Sequence, residues 1–417
     1  MTTAWYRTIT AEQWRVLIAA KLGWMLDAMD FLLYIMAIGQ LKAYFGFDDA
    51  TAGLLGTITL LVSALGGLVF GAVADRMGRV RALVITVVIF SVCSLGAATS
   101  QTLWQLLVWR LLLGFGMGGE WASGAALVSE TWPAEHRSKA IGIMQGGWAL
   151  GYILAAVAAA VVLGELNLGR EAWRWLFVIG ALPALLTFWL QRRVPEPHLW
   201  REQSARATRN ENPYAVLFGK RLRRRTILAS LLTAAVQFGY WGLFFWLPTF
   251  LGSPVEKGGA GLTIVKSMSW LIPMQIGAYF GYLSFGFLAD HFGRRRTFIA
   301  FLVVVAILVP TYGQLARNPL ALMLLGPVIG FTGHGYFSVF GAMLAELFPT
   351  AVRATGQALV YNLGRGLGAL APYTIGVLAA MPHGGIGSAL AATSAFFLAG
   401  ALLMLALPDT SGAELEA

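Results

Sequence analysis

Residues 71–79 read GAVADRMGR and residues 286–294 read GFLADHFGR, so one pattern, G-x-x-A-D-x-x-G-R, occurs twice at an offset of 215 residues. A second pattern, E-x-x-P-x-x-x-R, occurs at 130–137 and again at 346–353, an offset of 216. A glycine pair recurs at an offset of 217, Gly147 and Gly151 matching Gly364 and Gly368. Three matches at nearly one offset predict a parallel internal repeat.

Long apolar segments separate these motifs. Of the 417 residues, 58% are hydrophobic and 12% are charged, and the mean hydropathy is +0.69. Soluble domains carry about 25% charged residues, and disordered chains combine low hydrophobicity with high net charge, so the composition excludes both classes. The apolar segments predict twelve membrane spans, each long enough for a hydrocarbon core of about 30 Å. They are expected at 16–44, 50–74, 82–100, 103–130, 139–163, 172–191, 226–251, 263–289, 297–316, 319–347, 353–380 and 386–407.

The repeat divides these spans into two sets of six. We expect an N-terminal six-helix half at 1–191, a basic cytoplasmic linker at 192–225 and a C-terminal six-helix half at 226–417. The predicted fold class is therefore an all-α polytopic membrane protein with twelve transmembrane helices in two related halves.

The positions of the Lys and Arg residues predict the orientation. If the N-terminus lies inside the cell, 21 of the 30 Lys and Arg residues fall on the inner side and 6 fall on the outer side. Cytoplasmic loops of membrane proteins are enriched in Lys and Arg. We therefore expect a multi-pass protein of the cytoplasmic (inner) membrane of a prokaryote, surrounded by the lipid bilayer, with both termini in the cytoplasm.

The formal net charge of +10 has a local source. Ten of the 30 Lys and Arg residues lie in the predicted linker, together with only three acidic residues. A nucleic-acid-binding protein would need a soluble fold with side chains that read bases, and the sequence contains no sign of one. We interpret the basic stretch as a cytoplasmic loop and expect no nucleic-acid partner.

Several motifs together resemble a known family. The loop at 71–79, its copy at 286–294 and the segment RLLLGFGMG at 110–118 closely resemble the major facilitator superfamily. Within that superfamily, DAMD at 27–30 is similar to the D-x-x-D element of aromatic-acid:proton symporters and to the same region of sialate and lactate proton symporters. PEP at 195–197 resembles an element of sugar and metabolite porters, whereas span 7 lacks the polar motif of fungal lactate permeases. The resemblance implies the major facilitator fold and proton-coupled transport, with the proton as coupling ion and no other cofactor or metal.

Charged residues inside the spans need a reason, because a charge at the bilayer centre costs at least about 2.5 kcal/mol. Counting 1.5 Å for each residue from the span ends places Asp27, Asp30 and Glu120 near the midplane of the first half. We expect these acids to carry the proton. The resemblance to sugar and metabolite symporters implies that Asp30 pairs with Arg110, although the count places Arg110 nearer the outer surface. A permanent salt bridge between spans 1 and 4 is the alternative.

The second half has basic residues at the same depth, Arg365 in span 11 and His334 in span 10. The planar guanidinium of Arg365 suits a substrate carboxylate, and the resemblance to aromatic-acid symporters includes an arginine twelve residues beyond Arg353. The alternatives are an arginine neutralised by the protein itself and a histidine that only packs. Further candidate residues of the substrate site are Tyr240, Gln237, Tyr336, Tyr361 and Asn362.

The repeated loop motifs lie at the predicted cytoplasmic mouth, far from the midplane. Glycines there allow close approach of helices, and the charged side chains can tie the two halves together in one conformation. We expect a gate formed by Asp75, Arg76, Arg79, Asp290 and Arg294. Surface charge pairing is the alternative.

The leading function hypothesis is a proton-coupled symporter of a small organic anion that works by alternating access. The anion is expected to be a monocarboxylate such as lactate, pyruvate, sialate or an aromatic acid, and we expect the monomer to be functional. The alternative within transport is a proton-coupled porter of a neutral sugar-like solute or a drug/proton antiporter. An enzyme is not expected, because the sequence has no H-E-x-x-H pair, no nucleophile elbow and no sizeable extramembrane domain.

Overall fold

The computed structural model describes residues 7–196, 213–348, 353–381 and 385–408, and the regular elements in those ranges are all helices. The first five spans are continuous helices, and the sixth is broken into two. They are α1 (Ala11–Phe45), α2 (Asp49–Met77), α3 (Arg79–Ala98), α4 (Leu103–Thr131), α5 (Ala134–Ala159, continued by a π-helical turn to Glu165), α6 (Ala172–Gly180) and α7 (Ala184–Arg193).

The linker contains a short helix, and six more spans follow it. Three of these spans consist of two helices each. The elements are α8 (Pro213–Leu217), α9 (Arg223–Gly252), α10 (Ile264–Phe292), α11 (Arg294–Gln314), α12 (Pro319–Gly335), α13 (Phe337–Leu347), α14 (Arg353–Gly368), α15 (Ala371–Ala380), α16 (Ile386–Ala391) and α17 (Thr393–Ala406).

Eight spans in the described ranges are long and apolar enough to cross a membrane, and one of them, the twelfth, is broken between α16 and α17. The other four are α1, which carries two aspartates, and the broken sixth, tenth and eleventh spans. The twelve-span all-α architecture is confirmed. Predicted and observed starts differ most at the first and fifth spans, which begin at Ala11 and Ala134. The exact limits of the two halves stay a prediction, because residues 197–212 of the linker lie outside the described ranges.

The repeated motif has a backbone reason for its second glycine. Gly78 joins α2 to α3 with φ +110°, and Gly293 joins α10 to α11 with φ +88°. A side chain at either position would be strained, because L residues rarely adopt positive φ. Each glycine therefore allows a one-residue connection between two antiparallel spans.

Other glycines allow close packing of neighbouring spans in both halves. A Cβ atom at Gly118 would lie 1.9 Å from the Ser63 carbonyl oxygen, which is the contact of α4 with α2. A Cβ atom at Gly330 would lie 1.8 Å from the Met274 carbonyl oxygen, which is the contact of α12 with α10. Small residues at helix contacts are the usual means of membrane helix association, and here the two halves use them at corresponding places.

Two seams join the first six spans to the last six. In one seam, α2 packs on α14 and α15, and the Tyr373 backbone N–H donates to Thr57 Oγ1 at 3.1 Å. In the other seam, α5 packs on α10, with the Tyr279 ring 2.8 Å from where a Cβ of Gly146 would lie. The space that remains between the seams is the candidate site.

Candidate functional site

A cavity lies between the two sets of six spans. Seven of its ten lining residues are aromatic: Trp24, Trp148, Trp241, Tyr240, Tyr282, Phe337 and Tyr361. The other three are Gln145, Gln237 and Arg365. Flat apolar walls with a few polar groups are the usual composition of a small-molecule site.

Arg365 is the only charged residue among those that line the cavity. It lies on α14, and only 3% of its surface is exposed. Within the described ranges, its guanidinium makes no hydrogen bond and has no carboxylate oxygen within 4.0 Å. All five of its N–H donors are therefore available, in the planar arrangement that binds a carboxylate through two parallel bonds.

Asp27 and Glu120 lie close enough to Arg365 to interact with it electrostatically. Glu120 on α4 is fully buried, and neither of its oxygens has a hydrogen-bond partner among the described residues. Asp27 on α1 is 1% exposed, and its Oδ2 atom likewise has no such partner. Gly23 provides the space for Glu120, since a Cβ there would lie 2.5 Å from Glu120 Oε1. Two acids of the first half thus share one cation of the second half.

Asp30 lies in a different environment, although it is less than one helical turn from Asp27. Like Asp27 and Glu120, it is buried and is not among the residues that line the cavity, so its contacts are what distinguish it. Its Oδ1 atom accepts a short hydrogen bond from Ser94 Oγ on α3. On the α6 side, a Cβ at Gly180 would lie 2.0 Å from the same oxygen. Asp30 is therefore enclosed by spans 1, 3 and 6 of the first half.

Arg110 on α4 is fully buried near Asp30 but does not bond to it. Its guanidinium lies over the ring of Tyr34 at 4.4 Å and near the ring of Phe31 at 5.2 Å. None of its three side-chain nitrogens has a hydrogen-bond partner among the described residues. The interaction of Asp30 with Arg110 is thus electrostatic, without a hydrogen bond between them.

The structure separates the predicted substrate residues into two groups. Tyr240, Gln237 and Tyr361 line the cavity together with Arg365. His334 does not line it, because His334 Nδ1 contacts the Gly330 carbonyl oxygen at 3.1 Å and His334 Nε2 contacts Tyr240 Oη at 3.3 Å.

Two more predicted substrate residues also lie outside the cavity. Tyr336 is fully buried and packs against Phe298 and Phe337. Asn362 donates to the Ala358 carbonyl oxygen at 3.0 Å and faces α2 at Gly67. Because neither residue is among those that line the cavity, their placement favours packing over substrate contact.

Aromatic contacts join the halves on the side of the cavity toward the start of α1. Trp121 on α4 stacks on Tyr361 on α14 with ring centres 4.3 Å apart and an angle of 11° between the planes. Trp121 Nε1 also donates to Gln145 Oε1 at 2.9 Å. Nearby, Lys21 Nζ donates to Tyr279 Oη at 3.4 Å. These contacts close the cavity toward the basic loops.

The predicted gate is described only in part. Arg79 at the start of α3 pairs with Glu130 at the end of α4, with Nη2 and Oε1 2.8 Å apart. Glu196 accepts hydrogen bonds from the backbone N–H groups of residues 79–81 at 2.7 to 3.2 Å, and so caps α3. The first contact lies within the first half, and the second joins the start of the predicted linker to that half. Arg294 is half-buried at the start of α11, while the side chains of Asp75, Arg76 and Asp290 lie outside the described part of the structure.

The sequence interpretation did not identify the tryptophans and Gln145 as cavity residues. A signal was available in the spacing, because Trp24 precedes Asp27 by three residues and Gln145 precedes Trp148 by three, so each pair shares a helix face. Ser94 has no comparable signal, since a serine in an apolar span normally bonds to its own helix.

Comparisons with known proteins agree with this architecture. A sequence profile of the Major Facilitator Superfamily matches residues 22–278, and one of the "Sugar (and other) transporter" family matches residues 198–417. The crystal structure of a D-xylose-proton symporter superposes with a TM-score of 0.78 at 20% identity, covering 97% of this chain and 100% of that chain. At that identity the likeness concerns the fold.

Two relatives of comparable length are transport proteins of bacteria. The probable 4-methylmuconolactone transporter of Cupriavidus pinatubonensis is 35% identical over 99% of this chain and 94% of its own. The cis,cis-muconate transport protein of Acinetobacter baylyi is 29% identical over 96% of both chains. With its repeated loops, its twelve spans and these matches along its whole length, the chain belongs to the major facilitator superfamily and is a membrane transporter.

Proposed function

We propose that this transporter is a proton-coupled symporter of a small monocarboxylate with a flat, aromatic or conjugated skeleton. The observation that carries the proposal is the guanidinium of Arg365, which lines an aromatic cavity without a bonding partner among the described residues. We place the transporter in the cytoplasmic membrane of a prokaryote with both termini inside, because most basic residues lie on that face.

The composition of the cavity favours this substrate class. Aromatic rings attract flat π-systems in offset or edge-to-face arrangements, and the walls carry seven of them. A single cation suits a single carboxylate. A sugar would instead need several hydrogen-bonding partners for its hydroxyl groups, and Gln145 and Gln237 are the only amide side chains in the lining. The named substrates of the two relatives, a muconolactone and a muconate, are small and unsaturated, although muconate carries two carboxylates.

The shared position of Arg365 supplies a coupling mechanism. Before the substrate binds, Arg365 is the countercharge for Asp27 and Glu120. A bound carboxylate neutralises Arg365, and the two buried carboxylates then lose that compensation, which is costly in a poorly hydrated site. Protonation of these acids removes the cost, so anion binding and proton binding favour each other. Asp30 is enclosed away from the cavity, so its protonation depends less directly on whether a substrate is bound.

Alternating access then requires that the contacts between the halves open on one side at a time. The Trp121–Tyr361 stack and the Lys21–Tyr279 contact close the side toward the basic loops. On the other side, the ring centres of Phe31 and Trp241 lie 5.2 Å apart, and Tyr152 Oη donates to the Phe244 carbonyl oxygen at 3.1 Å. Rocking of the halves around the cavity would break one set while it keeps the other.

A neutral sugar-like solute or a drug/proton antiport remains the alternative. In the first case the guanidinium of Arg365 would serve the protein's own acids, and in the second the same acids would bind a cation. Both alternatives predict that removing the substrate's negative charge does not weaken binding, whereas the present proposal predicts a large loss.

Matched ligands can test the proposal on the purified protein, since binding to the folded state raises thermal stability. Benzoate is compared with benzamide, which keeps the ring but lacks the charge, and with cyclohexanecarboxylate, which keeps the charge but lacks the aromatic ring. 4-Methylmuconolactone, cis,cis-muconate, lactate, N-acetylneuraminate and xylose complete the panel. We expect stabilisation by the unsaturated acids above the saturated acid, and none by benzamide. Stabilisation by xylose or benzamide alone would contradict the substrate assignment.

Coupling is tested separately in proteoliposomes. An inward proton gradient should concentrate the acid that stabilises the protein most, and a protonophore should abolish the accumulation. Uptake that follows a sodium gradient and ignores pH would contradict proton symport while leaving the substrate assignment in place.

A further inference from the structure

The hydroxyl group of Ser94 lies within hydrogen-bonding distance of two acceptors. One is Asp30 Oδ1 on α1, and the other is the Phe177 carbonyl oxygen on α6, 3.0 Å away. A serine hydroxyl has a single hydrogen atom. It can therefore donate to one of these two oxygens at a time, and Ser94 is fully buried, so water does not replace the missing donor.

The Phe177 carbonyl depends on this contact because α6 ends beside it. In a continued helix, the N–H of Ala181 would donate to Phe177, but here it donates to the Val178 carbonyl oxygen at 3.1 Å. Phe177 itself is fully buried. A buried carbonyl without a donor costs free energy, so the arrangement of the Ser94 hydrogen affects the joint between α6 and α7.

We propose that Ser94 couples the protonation of Asp30 to the joint of the sixth span. When Asp30 is ionised, Ser94 Oγ–H donates to Asp30 Oδ1, and the Phe177 carbonyl has no donor. When Asp30 takes up a proton at Oδ1, its new O–H donates to Ser94 Oγ, and Ser94 Oγ–H turns to the Phe177 carbonyl. Charge balances in this step, since the carboxylate of charge −1 becomes neutral by binding one proton. The inference rests on the proposed proton coupling.

The proton is assigned to Oδ1 because Oδ2 has no hydrogen-bond partner among the described residues, and a hydrogen there would be unpaired. Gly180 makes the arrangement possible, since a Cβ at that position would lie 2.3 Å from Ser94 Oγ. The consequence is conformational. Protonated Asp30 fixes the end of α6 through Ser94, and ionised Asp30 releases it.

The charged and titratable groups near Asp30 do not compete for this hydroxyl. Arg110 faces Asp30 from α4 without a hydrogen bond, Cys93 lies next to Ser94 on α3, and Asp27 lies on the same helix as Asp30. The cation of α6, Arg174, is bound to the Ala98 and Ser100 carbonyl oxygens.

Infrared difference spectroscopy of the purified full-length protein tests the proposal without any substrate. A protonated buried carboxyl group has a carbonyl stretching band, which is assigned to Asp30 if Asp30→Asn removes it. In Ser94→Ala the acid loses its acceptor and the carboxylate loses its donor. We therefore expect the band to move to higher frequency and its titration midpoint to shift by about one pH unit. Ser94→Thr, which keeps the hydroxyl, should restore both.

Ser91→Ala is the matched control, because Ser91 is also buried on α3 but has no hydrogen bond among the described residues. It should leave the band and its midpoint unchanged. If Ser94→Ala does not fold, Ser94→Cys, with a weaker donor and acceptor, should shift the band in the same direction. An unchanged band in the Ser94 variants, or no band assignable to Asp30, would overturn the proposal.

Amide hydrogen exchange supplies the conformational measurement. After correction for the intrinsic pH dependence, the peptide covering 176–186 should exchange more slowly when Asp30 is protonated, and equally slowly at all pH values in Asp30→Asn. Ser94→Ala should remove this pH dependence, whereas a merely structural serine would change exchange equally at every pH. Failure of proton-driven uptake with these signatures intact would contradict the proposed function and not this inference.

Discussion

Asp27 and Asp30 differ by three residues in α1 but belong to two different regions of the molecule. Three residues correspond to a rotation of about 60° between side chains on an α-helix. Because α1 packs among several spans, that rotation directs Asp27 toward Glu120 on α4 and toward Arg365 of the second half. It directs Asp30 toward Ser94 and Gly180 of the first half. One helix thus carries an acid beside the cavity and an acid enclosed away from it.

The difference indicates a separation of tasks. The acids near the cavity share their countercharge with any bound anion, so their protonation depends on the substrate. The enclosed acid is bonded to the Ser94 hydroxyl and interacts electrostatically with Arg110 and with Asp27, but within the described part of the structure it has no interaction with Arg365. Substitutions in the two regions should therefore affect different measurements, and each prediction below compares the regions in that way.

The largest effect is expected at Arg365. Arg365→Ala should weaken anion binding by roughly 100-fold, because a charge-assisted paired contact is lost and two buried acids lose their countercharge. Arg365→Lys keeps the positive charge but lacks the planar guanidinium that can pair with both oxygens of a carboxylate. It should weaken anion binding roughly 10-fold. Isothermal titration with the best acid of the panel measures both, and the thermal stability of each variant without ligand is the control. Unchanged affinity in Arg365→Ala would remove the basis for assigning anion binding to this region.

Asp30→Asn should reduce concentrative uptake, because one titratable acid is lost while Asp27 and Glu120 still couple to the anion, and anion binding should change less than about twofold. The amide resembles a permanently protonated acid, since its N–H can donate to Ser94 Oγ as the carboxylic acid would. Counterflow of labelled substrate should persist, because it requires binding and interconversion but no net proton movement. The prediction is checked by measuring counterflow and accumulation of the labelled substrate at two pH values. A variant that no longer binds the anion would show that the enclosed acid and the cavity are not separate.

Trp121 connects the substrate cavity to the closing contacts on the basic side, so its substitution should change rates more than affinities. Trp121→Phe keeps the stack on Tyr361 but loses the hydrogen bond to Gln145, and should change the counterflow rate several-fold. Trp121→Ala removes both contacts and should change it by roughly 10-fold, since an aromatic pair contributes about 0.5–1.5 kcal/mol beyond its buried area. Asp30→Asn is the reference, because it should leave the counterflow rate unchanged. Equal affinities with unequal rates are the expected pattern, and the reverse pattern would place Trp121 in the binding site.

The sequence predicted the span positions and the repeat because hydrophobic length and motif spacing are properties of the chain itself. It also identified Arg365, because a charge inside an apolar span is conspicuous in any sequence. It could not separate Asp27 from Asp30, since counting residues gives depth but not the rotation of each helix against its neighbours. The same limit explains His334 and Tyr336, which lie at the right depth and point into packed helix contacts.

The aromatic residues that line the cavity could not be predicted from the sequence for a related reason. Fifteen tryptophans and twelve tyrosines occur in the chain, and most of their possible positions are helix contacts or the lipid surface. Which of them face the cavity depends on six different helices meeting there. Trp148 on α5 and Tyr282 on α10 line the same cavity because those two spans pack together at the seam.

The smallest effect is expected from Tyr240→Phe, which tests how far the cavity region extends into the second half. Tyr240 lines the cavity with its ring, but its hydroxyl group contacts His334 Nε2 at 3.3 Å behind the wall. The His334 Nδ1 contact with the Gly330 carbonyl oxygen leaves Nε2 as the acceptor, so the Tyr240 hydroxyl is the donor. Phenylalanine keeps the ring and leaves Nε2 unpaired, which should lower the free energy of unfolding by about 1–3 kcal/mol while the affinity changes less than about fivefold. Thermal unfolding with and without the acid measures both quantities on one sample.

Tyr282→Phe is the matched control, because Tyr282 also lines the cavity but its hydroxyl does not contact His334. If Tyr240→Phe instead weakens binding as strongly as Arg365→Lys without a loss of stability, the hydroxyl binds the substrate, and His334 then belongs to the cavity region as the residue that positions it.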